Sequence, residues 1–133
     1  MTGWAGAAGS RVGPVSDCLF CRMVAGEIPA DVVHQTDRVF AFRDIKPQAP
    51  THVLVIPKEH HRNIGALAAA DPALLGEVVS AAHAVALQEG LVTDGGIEPG
   101  YRVVTNTGPM AGQSVDHIHL HVLGGRGLGW PPG

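Results

Sequence analysis

The chain has 133 residues, of which 45% are hydrophobic and 16% charged, with a formal net charge of −3. That length suits one domain, able to bury about two thirds of its unfolded surface without staples. Its nine basic residues are scattered, which argues against nucleic acid as a partner, and no apolar run nears the ~20 residues of a membrane-spanning helix. The expected ligands are small molecules, and the expected compartment is the cytoplasm.

The opening segment, MTGWAGAAGSRVGPVS, lacks the charged and continuously apolar regions of a secretory signal. It reads as a flexible tail over residues 1–16, ahead of one domain over residues 17–133. Asp17 is the expected N-cap of a short helix over Cys18 to Ala25, ended by Gly26 through its tolerance of positive φ. Val32 to Gln35 and Val39 to Arg43 then read as a hairpin around Thr36-Asp37-Arg38. A third strand, His52 to Ile56, follows a loop stiffened by Pro47 and Pro50.

Asp71-Pro72 opens the strongest helical signal, an N-cap followed by proline at the first helical position. Leu75, Val78, Val79, Ala82, Val85 and Ala86 recur at the spacing of one apolar face, which predicts packing on a sheet, with Gly90 ending the helix. Thr93 to Gly100 reads as an exposed loop, followed by strands over Tyr101 to Thr105 and His117 to Leu123. The order of helix, three strands, long helix and two strands predicts an α+β domain on a mainly antiparallel sheet.

Three of the eight histidines, His117, His119 and His121, alternate with Ile118, Leu120 and Val122. The period of a strand puts the imidazoles on one face and the apolar residues on the other, toward the long helix. A single histidine in such a place would be decoration; three aligned ones point to proton transfer, nucleophilic attack or metal binding. Gly112-Gln113-Ser114, just upstream, is either an ordinary turn or a cradle for an anion, with the Ser hydroxyl able to donate to a phosphate oxygen or a leaving group. Cys18 and Cys21, the only cysteines, have a C-x-x-C spacing that fits a metal site, a redox pair or two buried thiols.

The run QSVDHIHLHV at 113–122 resembles the signature of the histidine triad family, and in particular its Hint branch. CLFCRMVAGEIPA at 18–30, AFRDIKPQAPTHVLVIPKEH at 41–60, GYRVVTNTG at 100–108 and the terminal WPPG extend the resemblance over residues 17–133. It implies a five-stranded sheet with one long and one short helix, paired in a homodimer whose sheets form one of ten strands. It also implies a hydrolase that cleaves phosphoramidates of purine nucleoside monophosphates through a covalent nucleotidyl-histidine. The alternatives are hydrolysis of dinucleoside polyphosphates and a nucleotide-binding scaffold with incidental turnover.

By position in the motif, the resemblance makes His119 the nucleophile, with His121 and Asn106 beside it. Gln113 and Ser114 would hold phosphate oxygens, Asp44 the ribose hydroxyls, and His52 would lie close to the phosphate. Leu19, Phe20, Phe42 and Ile45 would flank the base, with core packing as the plainer reading of each. Cys18, Cys21, His60 and His117 would supply two thiolates and two imidazoles to a structural zinc, His61 being the rival to His60. Trp130, on a glycine-rich terminus, is expected to cross the dimer axis toward the partner's site, where a disordered tail or packing on its own subunit are the alternatives. Asp116, Thr107 and Gly129 depart from the Hint pattern, and they bear on substrate preference rather than on bond breaking.

Overall fold

Strict alternation of side chains in the central strands decides how this chain layers. The computed structural model describes residues 17–93 and 98–133; the segment expected as a tail, and part of the loop before Tyr101, lie outside the described residues. A short helix α1 (Leu19–Val24) leads into strands β1 (Val32–Gln35), β2 (Val39–Arg43) and β3 (Thr51–Pro57). Helices α2 (Ile64–Ala70) and α3 (Pro72–Gln88) follow, then β4 (Tyr101–Val104), a single 3-10 turn at Pro109–Ala111, and β5 (Leu120–Gly124). The five strands form one sheet in the order β1-β2-β3-β5-β4, every pair antiparallel.

Each face of the sheet has its own core. Val39, Ala41, Val53, Val55, Leu120 and Val122 meet α2 and α3 on one side, while Phe40, Phe42, Leu54 and Ile56 meet α1 through Phe20 on the other. Burying a Leu, Val, Ile or Phe contributes about 1.5–3 kcal/mol, so both layers are substantial. The core on the first face is apolar, with Thr51 and the Arg43–Glu89 ion pair at its margin. The second shares its surface with the histidines and is where chemistry is available.

Several boundaries differ from expectation for identifiable reasons. The N-cap of α1 is Cys18, not Asp17: its Sγ accepts the Cys21 backbone N–H at 3.4 Å. Gly26 does take positive φ, at 81°. The buried face of α3 runs through Leu74, Val78, Ala81, Ala82, Val85 and Ala86, with Leu75 only partly buried and Val79 53% exposed. The apolar stripe is thus rotated from the predicted one, because helices rich in Ala and Val offer little contrast between neighbouring faces. Helix α2 was not expected at all. Asn63 caps it by accepting from Ala66 N–H at 2.9 Å, and Asp71 both ends it and caps α3, so the two helices abut where the sequence shows one strong start signal.

The most consequential difference lies at the last strand, which begins at Leu120 rather than His117. Val55 pairs with Leu120, so Pro57 stands where the ladder would next continue, and proline has no N–H to offer it. His117, Ile118 and His119 therefore run into the strand instead of belonging to it. The alternation survives: Ile118, Leu120 and Val122 join the core under α3, and the three imidazoles face the other side.

Candidate active site

His119 is 5% exposed, at the entry to β5. Its Nδ1–H donates to the His117 carbonyl at 2.8 Å, which leaves the lone pair on Nε2. Burial pushes its pKa down, a direction reinforced by His117 and opposed by the bond to the His117 carbonyl and by Asp44. The ring is thus neutral at pH 7, the state in which imidazole is a nucleophile. Two further contacts fix it. Phe20 meets the ring edge-on, centroids 5.1 Å apart, and the Thr105 hydroxyl donates to the His119 carbonyl at 2.9 Å, just past the end of β4.

His52 and His121 lie diagonally across β3 and β5, and their tautomers can be read from one chain of hydrogen bonds. The Gln48 backbone N–H donates to His52 Nδ1 at 3.0 Å, so the His52 proton is on Nε2. That proton is donated to His121 Nδ1 at 2.9 Å, so the His121 proton is on its own Nε2. Burial lowers the pKa of His52, opposed by Asp44; burial first, then the neighbouring His119 and His52, pushes His121 down to about 4. Both rings are neutral. Among the described residues His121 Nε2 is a buried polar atom with no hydrogen-bond partner. An unmatched buried donor costs about 1–3 kcal/mol, which an incoming acceptor oxygen would recover.

Asp44 stands over this chain. Its Oδ1 accepts the Lys46 N–H at 2.8 Å, and its Oδ2 lies 3.5 Å from His52 Nε2. Asn106 is half-buried next to Thr105, and Ser114 is exposed on the loop after the 3-10 turn. Of the four apolar residues expected around a base, Phe20 and Phe42 are buried in T-shaped contact at 5.4 Å. Leu19 is 40% and Ile45 90% exposed, so core packing does not account for Ile45. Trp130 is 81% exposed, yet its segment is tethered to edge strand β4: Arg102 donates to the Gly129 carbonyl at 2.9 Å and lies 5.9 Å from the indole centroid.

Behind His119, Cys18, Cys21, His60 and His117 bring their ligand atoms within 4.8 Å of one another. Cys18 Sγ is 3.4 Å from His117 Nδ1, and Cys21 Sγ is 3.4 Å from His60 Nδ1. His117 Nε2–H donates to the Pro57 carbonyl at 2.8 Å, the outer bond that fixes a histidine's tautomer and leaves its other nitrogen for a metal. Interaction with Cys21 holds the Cys18 thiol well below its usual range, against burial and with help from His117, as a metal-binding thiolate requires. Two sulfurs and two imidazole nitrogens are the donor set of closed tetrahedral zinc. The rival His61 is turned away, its Nε2 2.8 Å from Glu59.

Of the predicted site residues, Asp44, His52 and His121 gather beside His119, and Cys18, Cys21, His60 and His117 form a second group, while Ser114, Ile45 and Trp130 are exposed. Thr105, the Gln48 amide and the Pro57 carbonyl are part of the arrangement and were not expected. Of these only the threonine hydroxyl has a side-chain signal; the other two are backbone groups, invisible in a list of residue types.

Comparison with known proteins agrees with this geometry. A model of the HIT domain matches residues 25–128. A 14 kDa zinc-binding protein of Zea mays is 50% identical over 121 residues, covering 89% of this chain and 89% of that protein. The structure of a HIT family hydrolase from Legionella pneumophila superposes with a TM-score of 0.81 at 50% identity, over 88% of this chain and 100% of that one. That of a histidine triad nucleotide-binding protein from Candida albicans gives 0.73 at 33%, over 86% and 83%. The chain belongs to the histidine triad (HIT) family.

Proposed function

We propose that this protein is a nucleotide-binding hydrolase that cleaves phosphoramidates of purine nucleoside monophosphates, with His119 as nucleophile. The observation that carries the reading is a neutral imidazole whose Nδ1–H is committed to a backbone carbonyl, beside a buried N–H on His121 that still needs an acceptor. The His119 Nε2 lone pair attacks phosphorus, the phosphorus–nitrogen bond breaks, and the amine leaves with the proton donated by the Ser114 hydroxyl, which the attacking water later restores. Ser114 and Asn106 serve the leaving group and the nucleophile, Gln113 belongs to the same loop, and His121 Nε2–H stabilises the charge on a phosphate oxygen. Water then attacks the nucleotidyl-His119, releasing the nucleoside monophosphate and the free imidazole.

Asp44 accepts from the ribose hydroxyls, a charged acceptor facing two donors. His52 orients His121, and Leu19 and Ile45, with Phe20 and Phe42 behind them, cover the base. Zinc at Cys18, Cys21, His60 and His117 supplies a rigid cross-link and takes no part in bond breaking. The cytoplasm, where thiols stay reduced, suits this thiolate pair, and no helix among the described residues is long and apolar enough to cross a membrane.

Adenosine and guanosine phosphoramidates, assayed beside a dinucleoside polyphosphate, test the reading. Turnover of the phosphoramidates at least about tenfold faster in kcat/KM, or about 1.4 kcal/mol in barrier, is expected; preference for the polyphosphate would overturn it.

The homodimer is part of the proposal. β4 is an open sheet edge with Val103 42% exposed, and such an edge is a template for pairing with a second copy. With Trp130 held beside that edge by Arg102, the terminus would reach the partner's site next to the leaving group. Deleting residues 129–133 is expected to alter the ranking of amine leaving groups in kcat/KM while leaving the adenine-to-guanine ratio unchanged. An unaltered ranking would place Trp130 outside the site.

A further inference from the structure

Both N–H donors of the Gln113 carboxamide are already engaged. Its Oε1 accepts the Gly108 N–H at 2.9 Å, and its Nε2 donates to the Arg62 carbonyl at 2.8 Å and the Val115 carbonyl at 3.1 Å. A primary amide has two N–H donors, and both are used. Turning the amide over would set its oxygen against two carbonyls and its nitrogen against an N–H, so only one orientation satisfies the three partners. A phosphate oxygen accepts and does not donate, so Gln113 can reach one only by abandoning a backbone carbonyl.

The three partners belong to separate stretches of chain. Gly108 opens the catalytic loop and Val115 closes it, while Arg62 lies two residues after His60. The Gln113 backbone N–H also donates to the Gly108 carbonyl at 3.1 Å, so residues 108 and 113 are clamped in both directions around the 3-10 turn and Gly112, whose φ is 86°. Next to Arg62, the His61 carbonyl accepts the Ile118 N–H at 2.8 Å, and the same strip of chain therefore supports the approach to His119.

We infer that Gln113 is a positioning residue: its carboxamide locks the 108–115 loop onto the Arg62 carbonyl and so sets where Ser114 stands, without touching substrate. The inference rests on the proposed hydrolase reading only for the identity of the loop as catalytic. Backbone hydrogen exchange of the substrate-free protein tests it in Gln113→Met, which keeps length and removes all three bonds. Gln113→Glu, which keeps an acceptor for Gly108 but faces two carbonyls with oxygen, serves if the methionine variant does not fold.

Amides from Gly108 to Val115 are expected to exchange about tenfold faster, the scale of one lost hydrogen bond. kcat should fall while the Kd for AMP stays within about threefold. Unchanged exchange with weakened binding of AMP but not of adenosine would make Gln113 a phosphate ligand and overturn the inference. Failure of the wild-type protein to cleave any phosphoramidate would overturn the hydrolase reading instead, and would leave the exchange result standing.

Discussion

His119→Ala is expected to lower kcat for phosphoramidate cleavage by at least about 10⁴-fold, because a covalent route loses its first bond-forming group. The Kd for AMP should remain within about threefold of wild type. Asp44, His52 and the exposed Leu19 and Ile45 stay in place, and the His52–His121 hydrogen bond at 2.9 Å does not pass through His119. The substitution removes a ring that is 5% exposed and touches Phe20, so some stability will be lost with it. His119→Gln keeps bulk and polarity and serves as the companion variant, with the same loss of turnover and a smaller loss of Tm. Steady-state kinetics and calorimetric titration with AMP read the two quantities separately. A variant that keeps most of its turnover would remove His119 from the nucleophile's place.

Protein purified without chelators is expected to carry about one zinc per chain, and Cys18→Ser to lose it together with about 3 kcal/mol of stability, or roughly 10 °C in Tm. The four ligand residues come from the start of α1, the turn after β3 and the approach to β5, so a bound ion would cross-link three segments of the chain. α1 has six residues, too few to hold a helix by itself, and it carries Phe20 against His119. Kinetics measured well below the variant's Tm should fall less than stability does, because the proposed mechanism gives none of the four ligands a part in bond breaking. Elemental analysis and thermal denaturation give the test, and absence of metal from the wild-type protein would contradict it.

Much of this was legible in the sequence because the relevant patterns are local. Asp71-Pro72 announces α3, the β1–β2 hairpin follows from two short β-rich runs, and the alternation of His and apolar residues from 117 to 122 separates the two faces of the sheet. What stayed hidden depends on neighbours distant in sequence. The late start of β5 comes from Pro57 in β3, which no reading of residues 117–123 alone can supply. The tautomer of His121 is set by the Gln48 amide through His52, and the role of Gln113 by the Arg62 carbonyl, both of them backbone groups. The stripe on α3 was misplaced because Leu74 and Leu75 are chemically alike and only packing on the sheet distinguishes them.

The proposed reaction requires a covalent bond between His119 Nε2 and phosphorus. Rapid acid or denaturant quenching of wild-type protein with an adenosine phosphoramidate, followed by peptide mass spectrometry, tests it most directly. An adenylyl group on the peptide containing His119, appearing before product accumulates and absent from His119→Ala, is the predicted result. Full turnover in single-turnover conditions with no adduct at any time, or an adduct on another residue, would contradict it.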